Sequence, residues 1–172
     1  ALEKLQSQGI KIFTRQSSAN IKTICKENKL NPFIIFSTAI PESNPELKAA
    51  KKYKLNVLHR SDLLAELVKQ QPSILVAGSH GKTTTSTILT TLLAINNQDP
   101  TAVIGGFVPH YKSNGYAGLG KLLVAEADES DGSLVKFKAE IGLITNLELD
   151  HTDHYDSLEE LINTMQVFSK NC

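Results

Sequence analysis

Ser73-Ile74-Leu75-Val76-Ala77-Gly78-Ser79-His80-Gly81-Lys82-Thr83-Thr84-Thr85 decides how this chain is read. A short apolar run enters a loop of small residues. Gly81-Lys82-Thr83 then opens a helical pattern carried by Ile88, Leu89, Leu92 and Leu93. Strand, tight loop and helix N-terminus in that order have the layout of a phosphate-binding loop. Glycine lets the main chain approach an anion closely and aim several N–H groups at it. Lys82 supplies a mobile positive charge for the β- and γ-phosphates of a nucleotide. The Thr83 hydroxyl is a hard oxygen ligand suited to Mg²⁺. The common pattern places a glycine where this chain has Val76, so Gly78 makes a tighter loop. His80 sits inside that loop, in a position to hold its shape.

Outward from the loop, the bulk properties narrow the function classes. The 172 residues carry 18 basic and 18 acidic side chains, so no charge excess argues for a nucleic-acid partner. No apolar run approaches the ~20 residues of a spanning helix, and no basic amphipathic stretch argues for a membrane surface. Cys25 and Cys172 lack metal-type spacing and fit a reducing, cytoplasmic compartment. Cys25 reads as a small buried hydrophobe. The chain begins at Ala1 already inside a helical pattern and stops at Cys172 just after another, which reads as a piece of a longer protein.

Residues before the loop alternate strand and helix. Ile10-Lys11-Ile12-Phe13 predicts a short strand, and Ser18 begins a helix with Ile21, Ile24 and Cys25 inside. Phe33-Ile34-Ile35-Phe36 reads as a buried parallel strand ending in Ser37-Thr38-Ala39. Asn44 and Pro45 are a good cap and first turn for the next helix. Leu55-Asn56-Val57-Leu58 follows as a strand, and Ser61 caps a helix expected to bury Leu63, Leu64, Leu67 and Val68. Gln70-Gln71-Pro72 breaks the pattern, so the expected domains are 1–71 and 72–172. Ligands of open parallel sheets lie beyond the carboxyl ends of strands, where Ser37, Thr38 and Ala39 fall. A polar turn closing a strand reads equally well there.

After the loop, Thr101-Ala102-Val103-Ile104 is a strand ending at Gly105-Gly106, and 109–120 reads as loop. Leu122-Leu123-Val124-Ala125 and Ile141-Gly142-Leu143-Ile144-Thr145 read as buried strands. Ser157 with Glu160 forms a capping box for a last helix with Leu158, Leu161, Ile162, Met165 and Phe168 on one face. Three strands thus end in chemistry-bearing residues: the loop, Glu126-Ala127-Asp128-Glu129-Ser130-Asp131, and Asn146-Leu147-Glu148-Leu149-Asp150-His151. Parallel strands bring such ends to one edge, so Lys82 and Thr83 would face Glu126 and His151 across one cleft. His151 is flanked by Asp150 and Asp153, which could orient it or share a metal with it.

These motifs together resemble the Mur ligase family. Gly78 to Thr85 is similar to its ATP loop, and the Glu126–Asp131 and Asn146–His151 segments resemble the branch that joins L-alanine to UDP-N-acetylmuramate, in its cyanobacterial form. Ser37-Thr38-Ala39-Ile40 followed by Asn44-Pro45-Glu46 resembles that branch's N-terminal domain. The fold implied is α/β: two parallel-sheet units, a partial Rossmann-like N-terminal domain at 1–71 for the UDP substrate and a partial P-loop central domain at 72–172 for ATP. By the same resemblance, the family's C-terminal domain is expected to lie outside this stretch. The activity implied is ATP-dependent amide ligation in peptidoglycan synthesis, through an acyl phosphate, with ATP and Mg²⁺ as cofactors.

By resemblance, Gly78, Ser79, His80, Gly81, Lys82, Thr83 and Thr84 would hold the ATP phosphates. Lys82, Glu126 and His151 would be catalytic. Thr83 and Glu126 would bind one Mg²⁺, and Glu126 with His151 a second. Ser37, Thr38 and Ala39 would lie near the uridine diphosphate, with Ser130, Asp131 and Asn146 on the sugar side or supporting the residues that are. Some relatives carry a carbamylated lysine on the helix after the Asp-His motif, where this chain has Gln166. The family's N-terminal glycine-rich loop is also absent here, so the expectation is that this piece does not ligate alone. Competing readings are a murein peptide ligase and a non-catalytic ATP-binding module. A general P-loop phosphotransferase expects other residues than Val76 and Glu126.

Overall fold

The computed structural model describes residues 2–27, 31–129, 132–149 and 155–172. The chain divides into two units, Ala1–Arg60 and Ser61–Cys172. The first holds helices α1 (Leu2–Ser7) and α2 (Ser18–Glu27), strand β1 (Phe33–Phe36), helix α3 (Pro45–Lys52) and strand β2 (Asn56–His59). β1 and β2 pair in parallel, Phe33 beside Asn56 and Phe36 beside His59, with α3 as the crossover. α3 starts where its sequence dictates. The Asn44 side chain accepts the N–H groups of Glu46 and Leu47 at 2.8 and 3.2 Å, and Pro45 fills the first turn. Ile21 of α2 and Leu47, Ala49 and Ala50 of α3 are buried.

Ile10–Phe13 does not form the expected strand. Strands exist by pairing, and no strand pairs with this segment among the described residues. Lys11 Nζ instead reaches Glu27 Oε1 at 2.5 Å, an exposed ion pair. Cys25 is only partly buried.

Helix α4 (Arg60–Gln70) begins at the junction and packs, from Ser61 on, with the second unit, although the Gln70-Gln71-Pro72 break comes after it. Ser61, Ala65 and Val68 form its buried face. Leu63 falls off that stripe and is exposed, against expectation.

The second unit continues with β3 (Ser73–Ala77), α5 (Lys82–Ile95), β4 (Thr101–Val108), β5 (Ser113–Tyr116) and β6 (Leu123–Glu126). A 3₁₀ turn (Ser133–Lys136), β7 (Ile141–Ile144) and α6 (Leu158–Lys170) complete it. The sheet order is β5-β4-β6-β3-β7. β4, β6, β3 and β7 are mutually parallel, and β5 returns antiparallel to β4. The core gathers Leu75, Ala77, Leu123 and Ala125 from the strands with Leu134, Phe137 and Tyr155. Leu161, Met165 and Phe168 enter it from one stripe of α6. Ser157 Oγ accepts the Glu160 N–H at 3.3 Å, while the Glu160 carboxylate reaches back to the Asp156 N–H at 3.0 Å. This is the capping box displaced by one residue on its return bond.

The α/β class and the parallel strands agree with the sequence reading; further details differ. β4 runs through Gly105 and Gly106 to Val108, and the stretch 109–120 contains β5, where a loop was expected. Tyr111 and Tyr116 stack there with ring centroids 3.9 Å apart and planes at 10°. β7 is an edge strand among those described, with Ile141, Leu143 and Ile144 exposed rather than buried. Finally, α5 turns Ser86 and Thr90 inward, both at 0% exposure, and leaves Ile88 and Leu92 outside. The reason is proximity: the helix lies so close to β4 that a Cβ on Gly106 would collide with Thr83 Cγ2. Only small side chains fit between layers that near.

Candidate functional site

β3, β6 and β7 are adjacent and parallel, so their carboxyl ends share one edge as expected. There the loop after β3 is tied to the segment after β7. Asn146 Oδ1 accepts the His80 N–H at 2.9 Å, and Asn146 Nδ2 donates to the His80 carbonyl at 3.1 Å. Thr145 Oγ1 donates to the same carbonyl at 2.6 Å. The Ser79 N–H donates to the Asn146 carbonyl at 3.1 Å. Ser79 Oγ lies 2.8 Å from the Glu148 carbonyl and 3.0 Å from the Glu148 N–H. Gly78, at φ 120°, must be glycine twice over: the backbone angle disfavours a side chain, and a Cβ would strike Thr145 Oγ1. His80 therefore anchors the loop through its main chain, while its imidazole is exposed, 3.6 Å from Glu148 Oε2.

Gly81, at φ 82°, turns the chain into α5. The first intrahelical bond joins the Thr85 N–H to the Gly81 carbonyl at 2.9 Å. The N–H groups of Lys82, Thr83 and Thr84 precede it and point off the helix end, toward anions. Thr83 Oγ1 donates to Glu126 Oε2 at 3.1 Å, and Ser86 Oγ to Glu126 Oε1 at 3.0 Å. Gly105 keeps this corner open, since a Cβ there would sit 3.0 Å from Glu126 Oε2. Lys82 Nζ lies 2.6 Å from the Gly78 carbonyl, 3.3 Å from the Ser79 carbonyl and 2.8 Å from Glu129 Oε1. Glu129 is buried at 1% exposure, and the Tyr155 hydroxyl donates to its carbonyl at 2.7 Å.

Among the described residues, no group of three or more His, Cys, Asp and Glu is arranged to hold a metal by itself. Mg²⁺ asks less of a protein: one or two hard oxygens, with water and phosphate oxygens for the rest. Thr83 and Glu126, side by side at a helix N-terminus, fit that requirement.

Of the residues singled out from sequence, Gly78 to Thr84, Glu126 and Asn146 meet at this edge. Asn146 does so as part of the loop's own scaffold. Ser37, Thr38 and Ala39 form the turn that closes β1, with the Ile40 N–H bonded to the Ser37 carbonyl at 2.9 Å. Ser130, Asp131 and His151, with Asp150 and Asp153, lie outside the described residues. Sequence reasoning missed Glu129, Thr145 and the Gly105-Gly106 pair as parts of the site. Glu129 was hidden in a run of four acids, where only burial singles it out. The glycine pair was legible as a signal but was read as the end of a strand.

The Mur ligase middle domain family model matches residues 76–172, and that of the Mur ligase family, catalytic domain, matches residues 1–72. The chain belongs to the Mur ligase family. It is 68% identical over 171 residues to a UDP-N-acetylmuramate–L-alanine ligase of Prochlorococcus marinus (strain MIT 9303), covering 99% of this chain and 35% of that protein. The namesake protein of Synechococcus sp. (strain CC9311) is 60% identical over 172 residues, 100% of this chain and 36% of that one. The chain thus spans about a third of the length of these curated Mur ligase relatives. A crystal structure of the MurC UDP-N-acetylmuramate–alanine ligase from Thermotoga maritima superposes with a TM-score of 0.83 at 27% identity, over 97% of this chain and 38% of that one. A Neisseria ligase (MPL) shares the Mur ligase fold at the same TM-score of 0.83, at 21% identity, over 98% of this chain and 56% of that one. No helix among the described residues is long and apolar enough to cross a membrane.

Proposed function

We propose that this chain is the substrate-side and ATP-side part of a UDP-N-acetylmuramate–L-alanine ligase, with domains at 1–71 and 72–172. The observation that carries this reading is the identity of 68% to a protein of that name, sustained across 99% of the chain. The site supplies the chemistry the reading needs. ATP would transfer its γ-phosphoryl group to the lactyl carboxylate of UDP-N-acetylmuramate. The amine of L-alanine would then attack the acyl phosphate, forming the amide and releasing phosphate.

The difficulty is electrostatic, because a carboxylate must approach a triphosphate. The N–H groups of Lys82, Thr83 and Thr84 and the Lys82 ammonium face that charge from a fixed loop. Thr83 and Glu126 would hold Mg²⁺, which supplies further charge neutralisation when bound. His151 would complete a second metal position with Glu126. Ser37, Thr38 and Ala39 are assigned to the uridine diphosphate, and Ser130 and Asp131 to the sugar side. Asn146, which holds the loop, is assigned with them as a sugar-side or supporting residue. The chain alone is expected to lack ligase activity.

The test is ADP release by the intact protein with UDP-N-acetylmuramate and single amino acids. Release that requires both UDP-N-acetylmuramate and L-alanine supports the reading. Release with a murein tripeptide in place of L-alanine would make it a murein peptide ligase. ATP binding without any turnover would make it a binding module.

A further inference from the structure

Lys82 is held in place by a residue that the phosphate-loop chemistry does not itself require. Its ammonium has three N–H donors and three oxygens within reach: the Gly78 and Ser79 carbonyls and Glu129 Oε1. The Lys82 side chain is 16% exposed and that of Glu129 1%. The carboxylate therefore lies deeper than the cation it pairs with. A buried charge persists only when matched, so this pair is a strong geometric constraint on a long, otherwise free side chain. The Glu129 backbone is pinned in turn, since its carbonyl receives the buried Tyr155 hydroxyl at 2.7 Å. At 3.3 Å the bond to Ser79 is the longest of the three, and it is the one a phosphoryl oxygen would replace.

We propose that Glu129 is a positioning residue: it grips the Lys82 ammonium from the protein side and aims its third N–H at the phosphoryl group in transfer. This rests on the reading of the loop as an ATP site. Glu129 acts through Lys82 and touches no reacting atom.

The experiment uses the intact ligase. Glu129→Gln keeps the size and an acceptor oxygen but removes the charge. Its kcat is expected to fall about ten-fold or more, the scale of one lost charge-assisted hydrogen bond in the transition state. The dissociation constant of a fluorescent ATP analogue should stay within about two-fold or tighten, because the loop becomes more positive. General structural damage would weaken nucleotide binding as well. In a Lys82→Met background the same substitution should add no further loss, since the residue through which it acts is gone. If Glu129→Gln does not fold, Glu129→Asp keeps the charge but withdraws it by a methylene, and a smaller loss of kcat at unchanged affinity is expected.

A kcat within about two-fold of the parent, parallel losses of kcat and nucleotide affinity, or full additivity with Lys82→Met would each overturn the proposal. Should Lys82→Met itself leave ATP binding and turnover intact, the phosphate-loop reading fails. If Lys82→Met is inactive and Glu129→Gln behaves as the parent, only the positioning role fails.

Discussion

Asn146 shows how much one side chain does at the site edge. Its amide satisfies both main-chain groups of His80, fixing a loop whose N–H groups must converge on phosphate. Asn146→Ala removes two hydrogen bonds worth ~1 kcal/mol each. ATP affinity should fall by about ten- to thirty-fold, measured by titration of a fluorescent analogue against the intact protein. Asn146→Asp retains the acceptor for the His80 N–H but sets a carboxylate against the His80 carbonyl, and should fare no better. Another residue-scale consequence concerns the hairpin tyrosines. Burial, and then the Asp99 charge, push the Tyr111 hydroxyl above the ordinary tyrosine value of 10.0. A hydrogen bond with Asp99, then burial, does the same for Tyr116. Both bind their protons more tightly when folded, so their contribution to stability is complete below the unfolded value and is lost as pH rises through the folded one. Ultraviolet titration should show a late tyrosinate phase that Asp99→Asn moves to lower pH.

At the scale of elements, the α5–β4 contact sets the geometry of the corner holding Thr83 and Glu126. Gly106→Ala would drive a methyl group into Thr83, and either α5 shifts or Thr83 changes rotamer. The expected outcome is ~1–3 kcal/mol of lost stability by denaturant unfolding, together with weaker ATP binding. This contact also explains where the sequence was legible and where it was not. Strand ends were readable because Ser73–Ala77 and Leu123–Glu126 are apolar runs stopped by polar residues, and parallel pairing then fixes a common edge. The buried face of α5 was not readable, because an apolar period points to Ile88 and Leu92 while close approach selects Ser86 and Thr90. Ile10–Phe13 had the composition of a strand, but no partner strand among the described residues makes it one. Glu129 and Glu126 look alike in the sequence. Burial beside Lys82 distinguishes the first, and the Thr83 hydroxyl the second.

For the molecule as a whole, the two units meet within continuous sequence at Arg60 and Ser61, and α4 gives Ala65 and Val68 to the second core. A piece beginning at Ser61 should therefore unfold cooperatively. One beginning at Pro72 should melt at lower temperature, having lost the side chains that cover Leu75 and its neighbours. Thermal unfolding followed by circular dichroism compares them directly, and equal melting temperatures would show that α4 contributes nothing to that core. The clamp on the phosphate loop has one more consequence, in which substitutions it tolerates. Asn146 grips main-chain atoms, and the imidazole of His80 faces outward. The clamp needs at position 146 an amide that both gives and receives, and at position 80 it engages the main chain alone. Replacing the His80 side chain leaves both bonds of the clamp in place, whereas replacing Asn146 removes them.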